Sequence, residues 1–150
     1  METFRNHAAS YWAAGLPVIP CKGKAPQIVG WQHFGKRMPT AVEQADWFNR
    51  YPDANIGLPL GQCSGLSAID IDTTDPELDA AIRAILPSTP YERIGRKGAG
   101  LIFKWKGQKN FKIKGSDGMI VEMLGQGNQI ILPPSVHPET GLPYIASVNL

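Results

Sequence analysis

The chain has 150 residues, of which 43% are hydrophobic and 19% are charged, as expected for one globular domain with a real core. No run approaches the roughly 20 apolar residues of a membrane span, and "METFRNHAASYW" has no signal-peptide core. We therefore expect a single domain over residues 1–150, in the cytoplasm and with no membrane partner. Cys21 and Cys63 cannot form a four-cysteine site, so we expect free thiols and no zinc.

The net charge of +2 conceals an uneven distribution. Residues 93–114, "RIGRKGAGLIFKWKGQKNFKIK", carry eight basic side chains and no acidic one, whereas the remainder carries seven basic and all thirteen acidic residues. A basic segment in an otherwise acidic protein indicates a polyanionic partner. The alternative is a solvated basic hairpin.

In chain order, the first half is predicted to begin with a helix over 4–14, closed by Gly15, and a short buried strand in "LPVIPC". An ordered loop follows. The next helix, in "TAVEQADWFNRY", begins with a capping box in which Thr40 is the N-cap and Glu43 is at N3. "ANIGLPLG" and "LSAIDID" are strand candidates. The apolar face of this second helix is predicted to comprise Val42, Ala45, Trp47 and Phe48.

The second half is predicted to begin with a helix in "DPELDAAIRAIL", in which Asp75 is the N-cap and Pro76 is at N1. Strands are then predicted in "YERIGR", "GLIFKWKG", "GMIVEML" and "NQIILPP". This order indicates an α+β fold, with helices against a mixed or mostly antiparallel sheet. The apolar face of the helix is predicted to comprise Leu78, Ala81, Ile82 and Ile85.

Asp70 and Asp72 interrupt the apolar run of "LSAIDIDTTDPELD". Residues i and i+2 of a strand point to the same face, so the two carboxylates lie side by side and repel each other. A divalent cation such as Mg²⁺ or Mn²⁺ relieves this repulsion. The alternative is a pair of solvated acids. A calcium loop fits poorly, because Asp75 stands where such a loop requires glycine.

Glu122 is a lone acid within the strand pattern "GMIVEML". Alternation places Met119, Val121 and Met123 on one face and Glu122 on the other. Glu122 is either a third metal ligand near the aspartate pair or a glutamate at a strand edge.

Two further motifs are less specific. Glycines around Arg96 and Lys97 would let a phosphate approach the backbone, but the loop is neither a Walker A nor a Rossmann turn. Ser135 and His137 lie in "LPPSVHPETGLPY", which is interpreted as rigid turns, because it contains neither a nucleophile elbow nor a second ligand at zinc spacing.

Three segments in this order, "AASYWAAGLPVIPCKGKAPQIVGW", "NIGLPLGQCSGLSAIDIDT" and "VEMLGQGNQIILPPSVHPETGLPY", resemble one family. It is the N-terminal primase–polymerase domain of bifunctional phage and plasmid replication proteins, in the archaeo-eukaryotic primase superfamily. The resemblance spans about residues 5–146. It implies an RRM-like catalytic sheet packed with a smaller α/β unit, and template-directed nucleotidyl transfer. The implied partners are a DNA template and primer, nucleoside triphosphates and a fused or separate helicase, in a longer replication protein.

By this resemblance, Asp70, Asp72 and Glu122 are the catalytic residues and the ligands of two Mg²⁺ or Mn²⁺ ions. The family's second motif supplies a phosphate-binding histidine, but Gly100 stands at that position here. The predicted nucleotide phosphate-binding residues are therefore Arg96, Lys97 and Lys104. The predicted nucleic-acid-binding residues are Lys106, Lys109, Lys112 and Trp105.

Two other interpretations of the sequence remain. The first is a primase-like module that has lost activity and only binds nucleic acid. The second is an unrelated metal-dependent nuclease or phosphohydrolase.

Overall fold

The computed structural model describes residues 1–96 and 99–150. Within these ranges the chain forms three α-helices and one 3₁₀-helix: α1 (Thr3–Ala13), the 3₁₀-helix (Trp31–Gly35), α2 (Ala41–Arg50) and α3 (Pro76–Ile85). The described strands are β1 (Ile19–Lys22), β2 (Ala25–Pro26), β3 (Asn55–Pro59), β4 (Leu66–Ile71), β5 (Glu92–Ile94), β6 (Ala99–Lys104), β7 (Phe111–Gly115), β8 (Gly118–Leu124), β9 (Gln129–Leu132) and β10 (Ile145–Ala146).

The strands form two sheets. The smaller has the order β2-β1-β3-β9, and the larger has the order β10-β5-β6-β4-β8-β7. All strand pairings in the described ranges are antiparallel. The predicted α+β class is confirmed, with the six-stranded sheet packed against a smaller unit of sheet and helices.

The core explains why the run around β4 is so apolar. One cluster of buried side chains joins α1 and the smaller sheet to the larger sheet, where it includes Ala68 of β4. A second cluster includes Ile69 and Ile71 of β4 and lies against Ile82 of α3. Strand β4 is thus covered on both faces over most of its length, and its one charged side chain, Asp70, is only partly buried.

The predicted helix starts are confirmed. The Thr40 hydroxyl accepts a hydrogen bond from the Glu43 backbone N–H, and the Glu43 carboxylate accepts one from the Thr40 N–H, which forms the capping box. The Asp75 carboxylate accepts the Glu77 and Leu78 N–H groups, at 2.9 and 3.4 Å. These caps depend on neighbouring residues only, which is why the sequence reveals them.

The predicted apolar faces of α2 and α3 are wrong in part. Trp47 is buried, but Val42 is 79% exposed, and Ile85 is 83% exposed. Helix α3 has no buried residue and meets the core only through half-buried side chains. Periodicity identifies a helix face, but how far a partner covers it depends on distant parts of the chain.

Several elements were not predicted. Strands β2 and β10 have two residues each, which is too short for a pattern to show. Strand β7, "FKIKG", is exposed along its whole length at the edge of the larger sheet. Its alternation of apolar and basic residues is a strand signal that the high local charge obscured.

Candidate active site

A row of charged side chains crosses the larger sheet on either side of Gly100. Asp70 of β4 lies directly opposite Gly100 of β6 on one side and Glu122 of β8 on the other. The row continues outward to Arg93 of β5, opposite Gly100, and to Lys112 of β7, opposite Glu122. Directly paired residues of an antiparallel sheet point to the same face. One face therefore presents two acids, flanked on either side by a cation.

The sheet register places Asp70 beside Glu122, with Asp72 two residues further along the chain. Directly paired residues such as Asp70 and Glu122 have Cβ atoms about 5 Å apart. The backbone N–H of Asp72 donates to the Ile120 carbonyl at 2.8 Å, which continues the β4–β8 ladder beyond the end of β4. Asp72 thereby follows Asp70 at the two-residue spacing that directs both carboxylates to one face. The side chains of Asp70 and Glu122 are 33% and 21% exposed.

Burial raises the pKa of the Asp70 carboxyl above its usual range. The Arg93 guanidinium lowers this pKa, while the negative charges of Asp72 and Glu122 raise it, and Lys24 lowers it further. The net direction is upward, so the group resists being an anion in the protein alone. An added cation would favour the ionised form.

These residues suit a hard divalent cation by their chemistry. Carboxylate oxygens are the ligands of Mg²⁺ and Mn²⁺, and Mg²⁺ often takes one or two carboxylates together with water and substrate phosphates. In the described ranges, however, no three His, Cys, Asp or Glu side chains are already gathered as a metal site. The Glu122 carboxylate lies instead 4.0 Å from the Lys112 ammonium. For these acids to hold a cation together, their side chains would have to rearrange around it.

A cleft of about 380 Å³ lies between the two sheets beside this row. Asp70 and Asp72 line it from the larger sheet, and Gln129 and Ile131 of β9 line it from the smaller one. Lys24, in the turn between β1 and β2, also lines it. The cleft is therefore bordered by acids at the row and by cations around them.

Arg93 lines the cleft but is not among the site residues predicted from the sequence. Its Nη1 donates to the Ile131 carbonyl at 3.1 Å, and its Nη2 lies 3.7 Å from the Asp70 carboxylate. The guanidinium carbon lies 4.9 Å from the centre of the Tyr144 ring. A Cβ atom on Gly100 would lie 3.4 Å from Nε and Nη2 of Arg93. Arg93 thus extends over Gly100, the position where a histidine was expected.

The three predicted phosphate-binding residues have different locations. Arg96 lines the cleft, is half exposed, and forms an ion pair with Glu139. Lys97 lies outside the described residues. Lys104 lies opposite Leu66, four residues from Asp70 along β4, or about 13 Å at the usual rise of a strand. The structure therefore does not bring Lys104 to the acids.

The predicted nucleic-acid-binding residues lie near the β7 edge. Lys106 and Lys109 are exposed in the connection between β6 and β7, and Lys112 projects from β7 beside Glu122. Trp105 is half-buried, and a Cβ on Gly125 would lie 2.9 Å from its Nε1. The indole therefore packs on Gly125 as an anchor, whereas the three lysines are exposed to solvent.

His137 is a second cleft residue that the sequence analysis did not assign. It is 3% exposed, its Nδ1 accepts the Glu139 N–H at 3.1 Å, and burial, followed by the charge of Lys24, lowers its pKa. The neighbouring Ser135 hydroxyl accepts the Ile56 N–H at 2.7 Å. The segment 135–144 forms tight turns, as predicted, and these hold His137 and Tyr144 against the cleft.

Comparison with known proteins agrees with the resemblance noted in the sequence. The family model described as bifunctional DNA primase/polymerase, N-terminal, matches residues 8–149, and the chain therefore belongs to this family. No curated protein matches the chain. Within the described ranges, no helix has the length and apolarity needed to cross a membrane.

Proposed function

We propose that this member of the DNA primase/polymerase family is a metal-dependent nucleotidyltransferase, which makes or extends primers on a DNA template in phage or plasmid replication. The observation that supports this most is the register that places Asp70 directly opposite Glu122, with Asp72 two residues further on. A strand register is set by many backbone hydrogen bonds. It therefore brings these acids together whatever the rotamer of each side chain.

The proposal gives each part of the row a role. Asp70, Asp72 and Glu122 would hold two Mg²⁺ or Mn²⁺ ions. When bound, such ions activate the attacking 3′-hydroxyl and stabilise charge on the transferred phosphoryl group. The lysines of the β7 edge would bind template or primer phosphates without regard to sequence. The cleft between the sheets, beside the acids, is where the nucleotide would bind.

The test is primer synthesis and extension on single-stranded DNA with either ribo- or deoxyribonucleotides, in Mg²⁺ or Mn²⁺. We expect Asp70→Ala/Asp72→Ala to abolish incorporation. The matched control, Asp46→Ala/Asp53→Ala, removes two aspartates that are exposed on the smaller unit and should retain activity. Incorporation that does not respond to the first double substitution would remove the metal assignment. An inactive wild-type chain would contradict the proposed function.

A second candidate function is a primase-like module that binds nucleic acid for a fused or separate helicase without catalysis. Gly100 in place of the family histidine and the lack of a preformed three-ligand cluster in the described ranges favour it. Both candidates predict DNA binding that weakens steeply with salt. Only the enzyme incorporates nucleotides, so the same assay separates them.

A further inference from the structure

We infer that Arg93, projecting from β5, is the residue that binds the triphosphate of the nucleotide, in the space where the family places a histidine. The inference rests on the proposed function for the identity of the ligand as a nucleoside triphosphate. The position of Arg93 itself is independent of that function. Its contacts, its surroundings and its relation to Gly100 support the assignment separately.

The hydrogen-bonding capacity of Arg93 is only partly used. Its side chain is 14% exposed, and a guanidinium carries five N–H donors. One bond reaches the Ile131 carbonyl, the Asp70 carboxylate at 3.7 Å is beyond good hydrogen-bond distance, and buried Nε has no partner among the described residues. A largely buried guanidinium with spare donors at a cleft can bind a phosphate through two parallel bonds.

The surroundings favour a phosphate that arrives with a divalent cation. Lys24 lines the cleft from the smaller sheet, while Arg93 lines it from the larger one. Asp70 and Asp72 line the same cleft and would repel a bare anion. A triphosphate that carries a divalent cation suits both the acidic and the basic side chains of the cleft. Its metal can meet the carboxylates, while its free oxygens meet Arg93 and Lys24. Arg96 is already paired with Glu139 and is less available.

Gly100 and Arg93 compete for one space. A Cβ at position 100 would lie 3.4 Å from the Arg93 guanidinium, so it would already be in van der Waals contact with it before any further side-chain atom is added. A histidine there would displace the guanidinium from its place over the sheet. The two ways of supplying a phosphate ligand, from β5 or from β6, are therefore mutually exclusive. Glycine at position 100 is the counterpart of arginine at position 93.

The experiment is calorimetric binding of inorganic tripolyphosphate and of dATP, each with Mg²⁺, to wild type and variants. Charge-assisted hydrogen bonds of this kind predict a loss of roughly ten- to a hundredfold in both affinities for Arg93→Ala. Arg93→Lys should lose less, since it keeps the charge but not the fork. Arg50→Ala, which removes an exposed arginine on α2, is the matched control and should bind as wild type does.

Exchange of the two positions tests the shared space. Gly100→His alone should weaken tripolyphosphate binding, whereas Arg93→Ala/Gly100→His should bind more tightly than Arg93→Ala. Equal affinities for those last two proteins would remove this part of the inference. Thermal unfolding without ligand identifies folded variants, and if Arg93→Ala does not fold, Arg93→Lys provides the test.

The outcomes separate the inference from the proposed function. Wild-type affinity for tripolyphosphate in both Arg93→Ala and Arg93→Lys would overturn the assignment, even if primer synthesis is observed and depends on Asp70. A tenfold or greater loss in Arg93→Ala would support it. That support would hold even if the wild-type chain made no primers, a result that would overturn only the proposed function.

Discussion

Asn55→Asp should release the segment that holds His137 and Tyr144 against the cleft. The Asn55 amide group donates to the carbonyls of Val136 at 2.8 Å and Gly23 at 3.0 Å, and its oxygen accepts the Val136 N–H at 3.0 Å. A carboxylate keeps the shape and the acceptor but has no donor at neutral pH. Two hydrogen bonds are lost, and two carbonyl oxygens then face an anion. The cost is about 2–4 kcal/mol, or a fall in melting temperature of roughly 4–16 °C for a domain of this size.

Thermal unfolding followed by circular dichroism at pH 7.5 measures this effect. Asn6→Asp introduces the same charge on the exposed surface of α1 and should stay within about 0.5 kcal/mol of wild type. Near pH 3, below the usual carboxyl pKa of about 4, the protonated group can donate one bond, and the difference should narrow. Equal melting temperatures for the two variants at pH 7.5, or a difference that widens in acid, would refute the anchoring role of Asn55.

Three further predictions follow from particular contacts. Asp70→Asn should raise the melting temperature of the metal-free protein at pH 7–8, because a carboxyl whose pKa is raised in the folded state destabilises the protein as the pH rises through that pKa. The gain in melting temperature should vanish below about pH 4. A lower melting temperature than that of wild type at pH 7–8 would contradict this. Thr40→Ala removes the side-chain half of the α2 cap and should cost about 1 kcal/mol in urea unfolding, whereas a neutral effect would show the cap to be unimportant. Burial raises the pKa of Cys21 to about 12, so iodoacetamide at pH 8 should modify the partly exposed Cys63 first. Mass spectrometry follows the two modifications, and equal rates would contradict the burial of Cys21.

Local signals in the sequence were sufficient to predict two helix starts and the side-chain orientation in β4. The helix starts at Thr40 and Asp75 follow from residues within one turn of each other, and both are confirmed. The alternation around Asp70 placed Ile69 and Ile71 in the core and the acid on the other face, as the structure has it. Family resemblance, which depends on the order of whole segments, then indicated Glu122 as the partner acid.

The strand register was beyond any local signal. Nothing within β4 or β8 alone specifies that Asp70 pairs with Glu122, because their separation along the chain is closed only when the sheet forms. The pairing of β4 with β6 likewise places Gly100 on the other side of Asp70 and Lys104 opposite Leu66, at the far end of β4. Lys104 belongs to the basic segment in the sequence, but the folded sheet places it away from Asp70.

Which side chain lies over Gly100 was evident only from the tertiary structure. From the sequence, Gly100 is a departure from the family motif, and the basic residues nearest to it in the chain are the predicted substitutes. In the fold, Arg93 reaches over Gly100 from the adjacent strand, because a glycine leaves open the space that the guanidinium occupies. A residue's type and its immediate neighbours are written in the sequence. Which side chain fills an open space is decided by strands that meet only in the folded sheet.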